Sequence, residues 1–277
     1  IIVYKFFFFC KYMVKITYLI KKNVEIWYNL KRSKNLWKDD VMNIALVIAG
    51  GVGSRMRQDI PKQFLSVNDK PVIIYTLECF QKHPAIDAIA VVCLEGWEDV
   101  LRVYCKQFNI TKLKWIVKGG ENGQSSIRNG IFKLREECNE NDIILIHDAI
   151  RPMLSDEIIS NNIATCKQKG NAITYIPCAE AMLESDNKEF AISQIDRSTL
   201  VRTQTPQTFY LKDIASLHEE ALEKGITNSV ASCTLMLELE KKVYLTLGSE
   251  KNLKLTTPDD LEIFKALLSV KRDEWIK

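Results

Sequence analysis

From residue 43 onward, short apolar runs alternate with longer stretches in which apolar residues recur every three or four positions. Short continuous runs bounded by turn residues suit strands buried on both faces, and the longer recurrence suits helices with one face inward. Strands are therefore predicted at residues 44–48, 88–94, 115–117, 143–147 and 172–176. Helices are predicted at 71–80, where Val72, Ile73, Tyr75, Leu77 and Phe80 carry the apolar stripe, and at 98–108 and 125–138. A further helix opens at Ser155-Asp156-Glu157, which offers a side-chain cap and two acids to the positive end of the helix dipole, and it runs to about Lys169. This strand–helix alternation predicts a parallel sheet covered by helices.

Residues 178–200 break the rhythm. They are polar and weakly periodic, the profile of an arm or hairpin leaving the core. The alternation resumes with helices at 211–224 and near 231–239, a strand at 243–247 and a last helix after Pro258. The body contains no internal repeat or low-complexity tract. One domain over residues 42–277, with an excursion at about 178–200, is the economical reading.

At 277 residues and 47% hydrophobic, the chain is long enough to build a full core. Its formal charge of +3 is unevenly placed: residues 1–41 hold nine Lys/Arg against three Asp/Glu, which leaves 29 against 32 in residues 42–277. The body is not a polyanion binder by bulk charge, so no nucleic-acid partner is expected and any phosphate site must come from local placement. Lys5, Lys11 and Lys15 interrupt the apolar beginning well short of the roughly 20 residues a membrane span needs, and no A-x-A cleavage site follows. Met42 stands immediately before the first strand. Residues 1–41 are thus expected to lie outside the domain, with a peripheral membrane anchor as the alternative; no membrane association is expected of the body. The eight cysteines form no C-x-x-C pair and several sit in apolar runs, which fits free thiols in a reducing cytoplasm. His83, His147 and His218 stand at no metal-ligand spacing, which argues against zinc. Trp97 and Trp115 read as packing aromatics, and His147 as a strand end that orients the following turn.

Candidate chemistry begins where the first strand ends. Leu46-Val-Ile-Ala-Gly-Gly-Val-Gly-Ser-Arg-Met56 carries an apolar run into glycines 50, 51 and 53, and Ile60-Pro-Lys-Gln-Phe-Leu65 follows. Without Cβ atoms these positions let backbone N–H groups close on a phosphate chain, and Arg55 and Lys62 add fixed positive charge. Taken alone, the same segment suits an ordinary strand-to-helix turn with surface cations. Open parallel sheets bind ligands outside the carboxyl ends of their strands. The strand at 143–147 ends in Asp148-Ala-Ile-Arg-Pro152, so an anion loop and an Asp–Arg pair would face one cleft. Asp148 there suits a substrate hydroxyl or Mg²⁺, and Arg151 a phosphate; a helix cap and a surface ion pair are the plain alternative.

Seven motifs occur in order: Ala49-Gly-Gly-Val-Gly-Ser-Arg-Met56, Pro61-Lys-Gln63, Lys118-Gly-Gly-Glu121, His147-Asp-Ala-Ile-Arg-Pro152, Asp196-Arg197, Thr205-Pro-Gln207 and Asn252-Leu-Lys-Leu-Thr256. Together they resemble the cytidylyltransferases that act on 2-C-methyl-D-erythritol 4-phosphate or on D-ribitol 5-phosphate, over about residues 43–270; residues 1–41 have no counterpart. The resemblance implies an α/β fold, a Rossmann-like, mostly parallel sheet with helices on both faces and a protruding arm through which two copies form a homodimer. It implies CTP as donor, a polyol phosphate as acceptor and Mg²⁺ as the metal. Position by position, Ala49, Gly50, Gly51, Gly53 and Arg55 would cradle the triphosphate with Lys62 beside them. Gly120, Glu121 and Ser126 match positions that read cytosine. Asp148 and Arg151 match acceptor contacts, with Asp148 also a Mg²⁺ candidate, and Thr205 and Lys254 lie near acceptor and triphosphate. Arg197, on the arm, would complete the neighbour's site.

In the implied reaction the acceptor phosphate attacks the α-phosphorus of CTP and pyrophosphate leaves. The nucleophile is already an anion, so no strong general base is required, and Arg55, Lys62 and Lys254 become the catalytic charges. Three segments depart from the family pattern. Gly123 stands where an arginine is frequent, Ala179-Glu-Ala181 replaces a frequent Arg-Asp-Thr, and Ser229-Val-Ala231 carries no carboxylate. The nucleotide half of the site is matched and the acceptor half altered. This tilts the acceptor toward ribitol 5-phosphate and surface polysaccharide, with 2-C-methyl-D-erythritol 4-phosphate and isoprenoid synthesis as the alternative. A nucleotidyltransferase for another base or sugar phosphate would leave residues 147–152 unexplained, and a dehydrogenase would want the G-x-G-x-x-G loop this chain lacks.

Overall fold

In the computed structural model, which describes residues 41–51, 60–187 and 189–269, the first apolar run becomes β1 (Asn43–Ala49). Its side chains alternate between faces: Ala45, Val47 and Ala49 join one hydrophobic cluster, Ile44 and Leu46 another. A strand covered on both sides needs apolar residues on both faces, and β1 supplies them from Ile44 to Ala49. The expectation for residues 1–41 lies, Val41 apart, outside the described residues.

After β1 come one turn of 3₁₀ helix (Lys62–Phe64), a two-residue hairpin of β2 (Ser66–Val67) and β3 (Lys70–Pro71), and α1 (Val72–Lys82). The alternation continues through β4 (Ala88–Cys93), α2 (Glu98–Gln107), β5 (Leu113–Lys118), α3 (Gly123–Glu137), β6 (Ile143–Asp148), α4 (Asp156–Lys169) and β7 (Asn171–Pro177). β8 (Met182–Asp186) and β9 (Phe190–Ile195) pair only with each other, as an antiparallel hairpin. β10 (Val201–Tyr210), α5 (Leu211–Glu223), α6 (Ser232–Glu238), β11 (Leu245–Leu247) and α7 (Pro258–Ser269) complete the order. Residues Met42–Lys277 group as one unit.

The main sheet runs β11-β7-β10-β6-β1-β4-β5. Apolar faces of α1, α2 and α4 cover one side, through residues such as Phe80, Leu101 and Ile159; α3, α5 and α6 cover the other, through Ile131, Ile214 and Leu235. α4 begins where expected: the Ser155 hydroxyl accepts from the Ile158 N–H, and the helix ends at Gly170 with φ 94°. The predicted arm is the β8–β9 hairpin, whose Leu183, Phe190 and Ile192 are each about 60% exposed. The seven described cysteines are free, six of them buried. Among the described residues no helix is long and apolar enough to cross a membrane.

β10 is absent from the periodicity reading. It runs antiparallel between β6 and β7, so six strands share one direction and one opposes them. Thr203-Gln-Thr-Pro-Gln-Thr208 is polar and carries a proline, which speaks against a central strand. A register shift between Thr203 and Gln207 accommodates Pro206. The buried polar side chains are each satisfied by partners distant in sequence: Thr208 donates to Asn162 Oδ1 at 3.1 Å, and Gln207 Oε1 accepts from the Cys233 N–H at 2.9 Å.

α3 lies unusually close to the sheet because residue 130 is glycine. A Cβ there would sit 2.8 Å from both Leu46 Cδ1 and Val92 Cγ2, two buried side chains with no free space to retreat into. Gly130→Val is therefore expected to destabilise the protein by about 1–3 kcal/mol, read as a lower midpoint in urea unfolding at an unchanged m-value.

Candidate active site

The carboxyl ends of β1, β4, β5 and β6 meet at one edge, because Ile48 is in register with Asp148, Ala49 with Cys93, and Cys93 with Lys118. The segments leaving these strands touch. A Cβ on Gly50 would fall 3.1 Å from Ser126 Oγ and 3.4 Å from Gly119 Cα, so glycine lets the first loop lie directly on the loop before α3. The Ser126 hydroxyl accepts from the Gly120 N–H at 3.0 Å. Asn122 caps α3 in a reciprocal pair with Ser125. The same turn is stapled to residues 226–229: Gln124 Nε2 donates to the Ile226 carbonyl at 2.7 Å, and Gln124 Oε1 accepts from the Ser229 N–H at 2.6 Å. The Ser229–Ala231 segment therefore borders the cytosine-matched residues. Glu121 projects to solvent beside them.

The second half of the edge gathers around Asp148. Its Oδ2 accepts from Arg151 Nε at 3.2 Å and lies 3.1 Å from Lys254 Nζ. Burial alone would raise this carboxyl, but the Lys254 charge, followed by Arg151, brings it below its ordinary value. The group is a carboxylate between two cations. Lys254 arrives from a coil distant in sequence, and that coil is sewn in place. Arg151 donates to the Asn252 carbonyl at 2.7 Å, Asn252 Nδ2 donates to the Thr205 carbonyl at 2.9 Å, and the Leu255 N–H donates to the Ile150 carbonyl at 2.9 Å. Gln204, buried at the start of β10, donates to the Ser249 carbonyl at 2.9 Å.

His147 is fully buried behind this group. Its Nε2 faces the Arg151 carbonyl at 3.1 Å and must carry the proton, so Nδ1 accepts from the Thr205 hydroxyl at 3.0 Å. The Thr205 oxygen in turn accepts from the Asp148 N–H at 3.1 Å. Burial pushes the His147 imidazole down to about 4 against the pull of the Arg151 carbonyl and the Asp148 charge. A neutral ring with both nitrogens engaged is held behind the Asp148–Arg151 turn.

Lys62 sits on the 3₁₀ turn beside the glycine loop. Burial would raise the Asp260 carboxyl, yet the N–H groups of Thr256 and Thr257, and then the Lys62 charge, hold it below its usual range. The Lys62 charge is thus felt at the start of α7, the helix that follows the Lys254 coil. Gly53 and Arg55 lie outside the described residues. Arg197 stands apart: its hydrogen bond goes to the Ala179 carbonyl at the base of the arm, and among the described residues no hydrogen bond or ion pair joins it to Asp148. Among the sequence-derived residues, then, Ala49, Gly50, Gly51, Gly120, Ser126, Asp148, Arg151, Thr205 and Lys254 share one edge, with Lys62 beside them. Sequence reasoning assigned no role to Gln63, Gln124, Gln204 or Asn252. Their only local signal is the side-chain amide itself, at once a donor and an acceptor and so able to tie two loops together. A separate cleft of about 320 Å³ opens at the opposite edge, lined by Asn171, Phe209, Ile214, Leu217, Glu220 and Lys241. Lys241 there is paired with Glu220 at 3.2 Å.

A glycine loop and two cations around one carboxylate, with Lys62 beside them at the carboxyl edge of a helix-covered sheet, define a protein of the nucleotidyltransferase class. Residues 43–270 match the family described as IspD, 2-C-methyl-D-erythritol 4-phosphate cytidylyltransferase, and the chain belongs to that family. It is 44% identical over 232 residues to a ribitol-5-phosphate cytidylyltransferase of Lacticaseibacillus paracasei, covering 83% of this chain and 99% of that one. It is 37% identical over 227 residues to a 2-C-methyl-D-erythritol 4-phosphate cytidylyltransferase of Clostridium botulinum, covering 82% and 97% respectively. Among solved structures, a 4-diphosphocytidyl-2C-methyl-D-erythritol synthase superposes with a TM-score of 0.69 at 26% identity, over 83% of this chain and 99% of that one.

Proposed function

We propose that residues 42–277 transfer CMP from CTP to the phosphate of ribitol 5-phosphate, releasing pyrophosphate. The observation that carries this reading is the convergence of Arg151 and Lys254 on Asp148 beside the glycine loop. Two polyanions must be brought together, and the problem is charge rather than proton transfer. The bond formed joins an acceptor phosphate oxygen to the α-phosphorus of CTP; the bond broken joins that phosphorus to the oxygen leaving with pyrophosphate. No proton need leave the nucleophile, in keeping with a His147 that is buried, neutral and hydrogen-bonded at both nitrogens. Ala49, Gly50, Gly51 and Gly53 would present the loop, with Arg55 and Lys62, to the triphosphate. Gly120, Glu121 and Ser126 would meet the base, and Arg151 and Lys254 the acceptor phosphate. Thr205 would act by holding the turn that aims Asp148.

Mg²⁺ fits the donor set as a largely substrate-held ion: a single ionised carboxylate, Asp148, suits a metal whose remaining ligands are phosphate and water. When bound it would neutralise developing charge on the phosphates. Ribitol 5-phosphate is favoured by the greater identity to the ribitol-5-phosphate relative and by the departures at Gly123, Ala179–Ala181 and Ser229–Ala231. The family description and the superposed structure favour 2-C-methyl-D-erythritol 4-phosphate as the second reading. The exposed apolar hairpin β8–β9 suits a homodimer contact in which Arg197 serves the neighbouring site, and free buried thiols suit the cytoplasm.

The test is to follow pyrophosphate release from CTP with each polyol phosphate in turn. Ribitol 5-phosphate is expected to give the higher kcat/KM, and CTP with Mg²⁺ is expected to raise the melting temperature where UTP and NAD do not. Release with neither polyol phosphate, or stabilisation by UTP equal to that by CTP, would remove the assignment.

A further inference from the structure

We propose that Gln63 is the positioning residue of the nucleotide loop, an inference that rests on the transferase reading above. The side chain of Gln63 is 2% exposed, and its Nε2 donates to two carbonyls of that loop, Ala49 at 2.8 Å and Gly51 at 3.0 Å. An amide nitrogen has two hydrogens, so both bonds are made at once. Within a planar trans peptide the C=O and N–H point in opposite directions. Drawing the Ala49 carbonyl toward Gln63 therefore turns the Gly50 N–H the other way. A carbonyl oxygen aimed at a triphosphate would repel it; with both oxygens held inward, donors are what the loop presents to an anion.

The anchor is itself fixed. Gln63 is the middle residue of the 3₁₀ turn, whose Phe64 N–H donates to the Pro61 carbonyl at 2.8 Å. Phe64 is buried and stacks on Trp97 with ring centroids 4.6 Å apart. Lys62 precedes Gln63 directly, so one rigid turn sets both the orientation of the loop and the origin of a cation. The Ala49 carbonyl also accepts from the Leu94 N–H at 3.2 Å. Loss of the amide therefore falls chiefly on Gly51, at the point where the loop departs from the sheet.

Gln63→Met keeps the length and removes the donors. It is expected to raise KM for CTP by about tenfold or more, with KM for the acceptor and the melting temperature little changed. Gln63→Glu, which sets a carboxylate against two carbonyl oxygens, is expected to raise it further. A purely structural role would move both KM values and the melting temperature together, and that result overturns the proposal. Wild-type protein supplies a second measurement: amide hydrogen exchange over residues 49–51 is expected to slow when CTP binds, and exchange unchanged by saturating CTP also overturns it. Wild-type protein that neither binds CTP nor releases pyrophosphate overturns the transferase reading and this inference with it. An active wild type whose Gln63→Met variant keeps its CTP KM overturns this inference alone.

Discussion

Lys254→Ala is expected to lower turnover with CTP and the acceptor at least about a hundredfold, the size of loss typical when one preorganised charge is removed. Asp148, Arg151 and Lys254 together carry one net positive charge, and Lys254 Nζ stands 3.1 Å from the carboxylate it offsets. Without Lys254 the trio is neutral, and an arriving phosphate meets a carboxylate compensated by Arg151 alone. The charge cannot be replaced from solvent, because the lysine is placed by a coil that Asn252 and Leu255 bind to β10 and to the turn after β6. A loss of the same order is expected for Lys62→Ala. Adding Asp148→Asn to Lys254→Ala restores the net positive charge through Arg151, so the double variant should recover part of the acceptor KM; residues in one charge cluster are not additive. Near-normal rates in both lysine variants would show that the cations are incidental to turnover.

Stability is expected to fall as pH drops from 6.5 to 4, by roughly 3 kcal/mol for each of two histidines. Burial pushes both His147 and His218 down to about 4 from 6.5, and in His218 the Arg128 charge adds to it. The folded state therefore binds fewer protons than the unfolded chain in this window, which makes stability rise with pH and level off above 6.5. The two sites differ in what surrounds them. His147 has a hydrogen bond at each nitrogen, whereas neither ring nitrogen of His218 has a partner among the described residues. His218→Leu should then cost little at pH 8 and should roughly halve the acid slope. Urea unfolding at half-unit steps from pH 8 to 4.5 measures it; a flat profile in the wild type would contradict the burial of both rings as neutral groups. Asp148, whose carboxyl lies below its ordinary 3.8, adds its own loss only at lower pH.

Much of the frame was legible because burial on two faces leaves a plain mark. Continuous apolar runs at β1, β4 and β6, separated by helical stripes, admit few arrangements other than a covered parallel sheet, and the carboxyl edge then follows from strand direction. The hairpin at β8–β9 was legible for the opposite reason: its sequence interrupts the strand–helix alternation, and its few apolar residues, such as Leu183, Phe190 and Ile192, are exposed and join no core cluster among the described residues. β10 was hidden because three of its buried positions are Gln204, Gln207 and Thr208, and the partners of the last two, Cys233 and Asn162, lie far away in sequence. A polar strand of this kind looks like a loop until those partners are in place.

The sequence by itself determined which residues could handle phosphate, since glycine, lysine and arginine in a fixed order state their chemistry locally. Only the tertiary structure decided which of them meet. Lys254 reaches Asp148 through a coil held by Asn252. Thr205 stands behind Asp148 because β10 runs against its neighbours, and Gln63 turns two carbonyls away from the side an anion would approach. Each of these depends on side chains that are short in reach and distant in sequence. A linear pattern records the group that is present, while the direction in which it points is set by what packs behind it.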